Sequence, residues 1–145
     1  MRLVIQRVKK ATVKVKGRVV GNIGRGYLVL VGIKKSDGRS EAELLAEKLS
    51  KLRVMADEND KMNLSIKEAG GEILVVSQFT LYADTSGGNR PSFIEAADPK
   101  LARDVYEYFI YKLKEKEIRI ETGSFGDYME ISALLDGPVT INLEA

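Results

Sequence analysis

The chain has 145 residues, of which 44% are hydrophobic and 30% charged, and its formal net charge is +2. This length and composition are typical of one globular domain and exclude a disordered chain. The chain contains no cysteine and no histidine, which excludes disulfides, thiolate or imidazole zinc sites, and every catalytic triad or dyad that needs either residue.

No apolar run approaches the roughly 20 residues that a membrane-spanning helix needs. The first 15 residues alternate apolar and polar side chains, unlike a secretory signal peptide. With no cysteine for disulfides, a cytoplasmic location without a membrane partner is the default expectation.

The first third of the chain predicts strands. Residues 3–8 and 12–16 have the polar and apolar pattern of half-buried strands, Gly17 marks a turn, and residues 18–23 return. The apolar run 27–33 predicts a central strand that is covered on both faces.

Three glycines, Gly21, Gly24 and Gly26, superficially resemble a nucleotide-binding loop. Their spacing is not that of the dinucleotide motif, and a predicted strand rather than a helix follows them. A glycine-rich hairpin is the better interpretation.

Positive charge is concentrated at the N-terminal end. Residues 1–39 contain 11 Lys and Arg and one acid, whereas the remainder contains 12 Lys and Arg and 20 acids. Clustered cations attract phosphate backbones, so this segment indicates an anionic partner. The alternative is that Lys14, Lys16 and Arg18 form the solvated face of an amphipathic strand.

Two helices are predicted. Ser40 and Glu43 match a capping box, and the helix behind them extends to about residue 53. Asp98 followed by Pro99 predicts the start of the second helix. The buried stripe of the second helix is expected to be Leu101, Val105, Tyr108, Phe109 and Leu113.

The rest of the chain predicts four more strands. They are residues 72–78, 117–122, 128–135 and 138–143. We therefore expect an α+β fold: residues 1–145 as a single domain with a mixed, barrel-like β-sheet and two main helices.

Polar residues follow the apolar residues 73–76 of the predicted strand 72–78. Ser77, Gln78 and Thr80, with Phe79 between them, are placed to present polar groups to a cleft. The alternative is a strand end with satisfied hydroxyls. The glycine-rich loop 84–91 follows and is flexible by composition, so it can close over a ligand.

A proline interrupts the last two predicted strands. Asp136, Gly137 and Pro138 form a turn in the simplest interpretation. Because proline cannot donate to a ladder, the chain must leave the sheet at this point.

Five segments, in order and at comparable spacing, resemble the D-aminoacyl-tRNA deacylases. The resemblance covers essentially the whole chain, and its one visible departure is Leu135 where the family often has asparagine. The segments are Gln6-Arg7-Val8, Lys61-Met62-Asn63-Leu64, Ser77-Gln78-Phe79-Thr80-Leu81, Arg90-Pro91-Ser92-Phe93 and Gly137-Pro138-Val139-Thr140.

The resemblance implies a homodimeric hydrolase whose partner is an aminoacyl-tRNA, not DNA. No cofactor is expected, and no residue is a candidate metal ligand. The substrate is a D-amino acid esterified to the 3′-terminal adenosine at the acceptor end of tRNA. It also implies that the peptide Gly137-Pro138 is cis and enters the partner subunit's active site, where its backbone excludes an L side chain. Glycine has no side chain to exclude, so glycyl-tRNA mischarged on tRNA-Ala is an expected second substrate.

Without histidine, Thr80 has no base to make it a nucleophile. We therefore expect the amides of Gln78, Phe79 and Thr80 to stabilise an oxyanion, and Ser77 and Thr80 to position the substrate. Water, assisted by a substrate ribose hydroxyl, is the expected attacking group.

Three further residues are candidates for substrate binding. Arg7 is expected to brace the carbonyls of Gly137 and Pro138, or else to be a surface cation. Phe125 and Met129 are expected to hold adenine, or else to be core residues. A non-catalytic RNA-binding module and a general small-ester hydrolase are the competing functions.

Overall fold

The computed structural model describes residues 1–145. It contains a six-stranded mixed sheet, a two-stranded sheet, two α-helices and one short 3-10 helix at Phe79–Tyr82. The helices are α1 (Arg39–Lys51) and α2 (Pro99–Lys114). The strands are β1 (Arg2–Val15), β2 (Arg18–Ile23), β3 (Gly26–Gly32), β4 (Met55–Ala56), β5 (Met62–Leu64), β6 (Glu72–Ser77), β7 (Arg119–Thr122) and β8 (Glu130–Glu144).

The large sheet has both antiparallel and parallel pairs. Its order is β2-β1-β3-β6-β7, and β8 pairs with the other edge of β1. The first half of β1 pairs antiparallel with β3 and the second half with β2. Strands β3, β6 and β7 are parallel to one another. The predicted mixed sheet is confirmed.

The sheet is nearly closed and barrel-like, as predicted, because β2 and β7, at opposite ends of the strand order, are in contact. On one face α1 and α2 pack over a core of 21 buried residues. On the other face β2 lies against β6 and β7. Gly21 permits this approach, since a Cβ there would lie 2.5 Å from the carbonyl oxygen of Thr122. The second core contains Val8, Ala11, Val13, Ile23, Leu28, Leu74 and Val76.

The glycine-rich stretch 21–26 is not a hairpin, and that prediction was wrong. The hairpin turn lies at Gly17, where φ is 77°. Strands β2 and β3 both pair antiparallel with β1 and therefore run in the same direction. Gly24 lies between these two strands, where the chain does not reverse. A Cβ on Gly26 would lie 1.8 Å from the carbonyl oxygen of Glu72. Close packing, rather than a turn, therefore requires glycine there.

Helix α1 begins earlier than predicted, and its cap is different. The N-cap is Gly38, and the Glu41 carboxylate accepts a hydrogen bond from the Gly38 amide at 2.8 Å. The predicted Ser40–Glu43 box was wrong because Glu41, not Glu43, stands three residues after the N-cap. The same hydrogen bond holds the pKa of Glu41 below its ordinary value.

Helix α2 begins as predicted. Asp98 accepts from the amides of Lys100 and Leu101 at 2.9 and 3.1 Å, and Pro99 is the first helical residue. The buried residues of α2 are Val105, Tyr106, Phe109 and Leu113. Leu101 and Tyr108, which the predicted stripe includes, are only partly buried.

Neither helix is long and apolar enough to cross a membrane.

The last two predicted strands form one strand with an interruption. Leu135 pairs with Val8 and Thr140 pairs with Gln6, so residues 136–139 have no partner in the ladder. The prediction that the chain leaves the sheet at Pro138 is confirmed.

Candidate active site

A cleft of about 550 Å³ opens where β3 and β6 end. These strands are parallel, and their paired residues Val31 and Ser77 both line it. The start of α2 and the segment 125–131 form other walls. The lining is mainly apolar with a few polar groups, which is typical of a site for a small ligand or one end of a larger one.

The predicted catalytic segment lies at this cleft. Ser77, Gln78 and Phe79 line it, and the 3-10 helix begins immediately afterwards. The first bond of that helix runs from the Leu81 amide to the Gln78 carbonyl at 3.3 Å. The amides of Phe79 and Thr80 have no hydrogen-bond acceptor within this helix, because the first residues of a helix have no preceding turn to which they can donate. They are therefore available to an incoming oxyanion.

The Gln78 amide is not available in this way. It donates to the carbonyl oxygen of Val31 at 2.7 Å and so continues the pairing of β6 with β3. The expectation that Gln78 contributes an amide to an oxyanion set was therefore wrong. Its side chain instead donates from Nε2 to the hydroxyl oxygen of Thr80.

The Thr80 hydroxyl has no basic partner. Its one hydrogen-bond partner is the Gln78 side-chain amide, which donates and cannot accept a proton. Thr80 is exposed and does not line the cleft itself. This geometry does not provide the adjacent base that an alcohol nucleophile needs.

An aromatic pair stands at one side of the cleft. The rings of Phe79 and Phe93 are 5.0 Å apart in an edge-to-face arrangement, and both residues line the cleft. The loop between them is closed at its base, because Asp84 and Ser92 exchange two backbone hydrogen bonds of 2.8 Å. The Asp84 carboxylate also accepts from the Ser86 amide, which lowers the pKa of Asp84.

Phe125 and Met129 also line the cleft. The ring of Phe125 packs 5.5 Å from that of Tyr106, and the guanidinium of Arg103 lies 4.7 Å above the Phe125 ring. The Tyr106 hydroxyl donates to the Val75 carbonyl at 2.9 Å, and burial raises the pKa of Tyr106. Phe125 and Met129 are thus partly packed against the core and partly open to the cleft.

Gly137 and Pro138 lie away from the cleft of their own chain. Both are exposed, they are not among its lining residues, and the peptide bond between them is cis. The Arg7 guanidinium is 3.1 Å from both the carbonyl oxygen and a carboxylate oxygen of Asp136, and it also donates to the Val54 carbonyl at 2.8 Å. The expectation that Arg7 bonds the carbonyls of Gly137 and Pro138 was wrong, because Asp136 takes its Nε.

The basic N-terminal segment is displayed at the first hairpin. Lys14, Lys16 and Arg18 are exposed, and none of them forms an ion pair with an acid. Their charges are therefore free for an anionic partner.

Phe93, Tyr128 and Ile131 are among the lining residues that the sequence does not single out as site candidates. Phe93 belongs only to a matching segment, and Ile131 only to a predicted strand. Tyr128 lines the cleft and is 87% exposed. The sequence places Tyr128 at the start of the predicted strand 128–135, and the alternation of polar and apolar residues does not indicate that its ring is exposed at a cleft.

Comparison with known proteins gives matches over nearly the whole chain. A family model described as D-Tyr-tRNA(Tyr) deacylase matches residues 4–144. A protein of Koribacter versatilis named D-aminoacyl-tRNA deacylase is 52% identical over 145 residues, covering 100% of this chain and 97% of that protein. A protein of Dictyoglomus turgidum with the same name is 53% identical over 144 residues, covering 99% and 92%.

Two solved structures are also similar. One is described as c-Myc DNA Unwinding Element Binding Protein, with a TM-score of 0.93, 41% identity and coverage of 100% of this chain and 99% of that one. Another is described as "a probable eukaryotic D-amino acid tRNA deacylase", with a TM-score of 0.83, 14% identity and coverage of 98% of each chain. The second likeness concerns the fold alone.

Proposed function

The chain belongs to the D-Tyr-tRNA(Tyr) deacylase family, and on that premise we propose that it hydrolyses the ester bond between a D-amino acid and the terminal adenosine of tRNA. The products are the free D-amino acid and tRNA. The observation that carries the proposal is the apolar cleft at the ends of β3 and β6, which brings Ser77, Gln78 and Phe79 together with Phe125 and Met129.

Hydrolysis adds water to the ester carbonyl, so negative charge develops on the carbonyl oxygen. The amides of Phe79 and Thr80 supply donors for that charge, and one such donor typically contributes about 3–4 kcal/mol to the transition state. The attacking group is water, assisted by the neighbouring ribose hydroxyl of the substrate. Ser77 and the Gln78–Thr80 pair position the ester, because the Thr80 hydroxyl has no base beside it.

Selection of the D-enantiomer is assigned to the backbone of Gly137 and Pro138 from a partner subunit. The carbonyls of this segment hold the α-ammonium group of the substrate, and an L side chain would collide with the main chain. Gly137 has no Cβ and a φ of 134°, so the backbone can approach a ligand closely. Glycine escapes this exclusion, which makes glycyl-tRNA formed on tRNA-Ala a second substrate.

The proposed active unit is a homodimer. Strand β8 has one unpaired edge, and Ile131, Leu134 and Leu135 on it are 38%, 50% and 42% exposed. An unpaired edge with apolar side chains is a surface that proteins normally cover. Residues 136–139, of which Gly137 and Pro138 are exposed, belong to the same strand, so association there can carry Gly137 to a second chain.

The terminal adenosine is assigned to Phe125 and Met129, and tRNA phosphates to the basic hairpin at Lys14, Lys16 and Arg18. Residues 1–145 act in this proposal as one domain, in the cytoplasm, where tRNA is charged.

The proposal is tested by comparing the deacylation rates of D-tyrosyl-tRNA and L-tyrosyl-tRNA. We expect release of D-tyrosine only. The variant Gly137→Ala is expected to lose most of this activity, because its Cβ would lie 2.8 Å from the Val139 amide nitrogen. Gly70→Ala is the matched control, since Gly70 also has a positive φ but open space around it. Equal hydrolysis of both enantiomers would contradict the assignment of chirality sensing.

Two other functions are separated by the same assay. Binding of tRNA without release of amino acid would indicate a non-catalytic tRNA-binding or RNA-binding module. Efficient turnover of simple D-amino-acid esters without tRNA would indicate a general small-ester hydrolase.

A further inference from the structure

Tyr128 is an exposed aromatic residue at the cleft that the proposed reaction does not use. It is 87% exposed, the highest value among the large hydrophobic residues, yet it lines the same cleft as Phe125 and Met129. Its ring has no aromatic, cationic or hydrogen-bonding partner within the chain. Its ring faces are therefore open.

The backbone before Tyr128 is held in place. Gly126 has a φ of 84°, and the Asp127 amide donates to the Ser124 carbonyl at 3.3 Å. The Ser124 hydroxyl donates to the Asp127 carboxylate and so directs that negative charge back toward the turn. The tyrosine is thus presented on an ordered turn, which lowers the entropy lost when a ligand binds to it.

We propose that Tyr128 is a stacking platform for the unpaired nucleobase immediately 5′ of the terminal adenosine. This inference rests on the proposed function, which assigns the terminal adenosine to Phe125 and Met129. The polynucleotide chain of the tRNA must leave the cleft from that position, and the nucleotide before the terminal adenosine carries an unpaired base. Every base has a π-face, so a bare tyrosine ring can accept it without regard to sequence. The Arg103 guanidinium, which is 54% exposed and 3.9 Å from the Glu107 carboxylate, lies above the Phe125 ring at the same wall.

The kinetic test compares two substrates that differ only beyond the terminal adenosine. With D-tyrosyl-tRNA, Tyr128→Ala is expected to raise KM by about 5-fold to 140-fold, which is a stacking free energy of about 1–3 kcal/mol converted at 1.4 kcal/mol per tenfold. The kcat should be unchanged. With D-tyrosyl-adenosine, which has no preceding base, neither KM nor kcat should change. Tyr128→Phe keeps the ring and should retain the wild-type KM on both substrates.

A matched control is Tyr111→Ala. Tyr111 is 56% exposed on α2 and does not line the cleft, so its removal should change neither substrate's KM. An equal loss on both substrates by Tyr128→Ala would overturn the proposal, because Tyr128 would then act on adenosine or on the cleft itself. No loss on either substrate, or loss of the dimer, would also overturn it.

A binding measurement separates failure of this inference from failure of the proposed function. Uncharged tRNA is compared with the same tRNA carrying an abasic penultimate nucleotide, with wild-type protein and Tyr128→Ala. The abasic change should weaken binding to the wild type and leave binding to the variant unaffected, which is the coupling expected of two groups in contact. Equal weakening of both proteins would refute the stacking contact, even if no ester hydrolysis were detected.

Discussion

The Nε atom of Arg7 lies 3.1 Å from both the main-chain oxygen and a carboxylate oxygen of Asp136. The two residues belong to β1 and β8, and Asp136 is the first of the residues that leave the ladder. Arg7 also donates to Val54, so one largely buried side chain connects the exposed Gly137 segment to the connection between α1 and β4.

The first prediction concerns this connection. Arg7→Ala is expected to lower the free energy of unfolding by about 2–3 kcal/mol, because it removes charge-assisted hydrogen bonds at a site with little solvent. It should also lower deacylation of D-tyrosyl-tRNA about tenfold, since the Gly137 segment loses its support. Urea denaturation and single-turnover rates measure the two effects. Lys67→Ala, which breaks an exposed ion pair with Glu117, is the control and should change neither.

The second prediction concerns the role of Thr80. Thr80→Ala is expected to reduce the single-turnover rate by less than about tenfold, because its hydroxyl positions the substrate and has no base to activate it. The rate is measured under saturating enzyme with tRNA binding followed in parallel. An abolished rate with unchanged tRNA affinity would instead assign Thr80 as the nucleophile.

The third prediction concerns the basic hairpin. Replacing Lys14 or Lys16 by Gln is expected to weaken tRNA binding and to reduce the slope of log K against log salt by about 1 per cation that contacts a phosphate. Binding isotherms at several salt concentrations measure the slope. Lys67→Gln is the control, because that lysine is already paired with Glu117. An unchanged slope would mean that the hairpin is only a solvated face.

The fourth prediction concerns acid stability. Hydrogen bonds from Lys116 and then Lys51 lower the pKa of Glu47 from 4.5 to about 2. Because the folded pKa is the lower one, the stabilisation is fully present above pH 4.5 and is lost as pH falls toward 2. Glu47→Gln should therefore unfold at lower urea concentration than wild type at pH 7, and the difference should disappear near pH 2.

The control for this measurement is Glu58→Gln. Glu58 is exposed and forms no ion pair, so its replacement should leave the urea midpoint unchanged across the same pH range. A pH-independent difference between wild type and Glu47→Gln would show that packing, not ionisation, explains the effect.

The fold class and most strands could be predicted because their signals are local. The run 27–33 and the helix start at Asp98 depend on neighbouring residues alone. Strands β4 and β5 escaped prediction because two or three residues carry no readable period. Strand β8 was divided in two because Pro138 cannot pair, although the chain resumes its pairing with β1 on either side.

The candidate site was predictable only in part, for a related reason. Ser77, Gln78 and Phe79 follow a strand with a clear apolar run, so their place at the sheet's edge follows from local pattern. The Gln78 amide donates to the carbonyl oxygen of Val31, which lies 47 residues earlier in the chain. A local sequence pattern cannot predict this hydrogen bond, because it depends on which strand lies beside β6. The exposure of Tyr128 likewise depends on how the chain enters β8.

The loop 84–92 is closed at its base by two backbone hydrogen bonds, so a label on this loop can be used to follow ligand entry. A side chain added at Gly87 meets no atom within 4 Å, and the chain has no native thiol to compete for a label. A single dye coupled to Gly87→Cys would thus show, in real time, when a ligand binds beside Phe79 and Phe93.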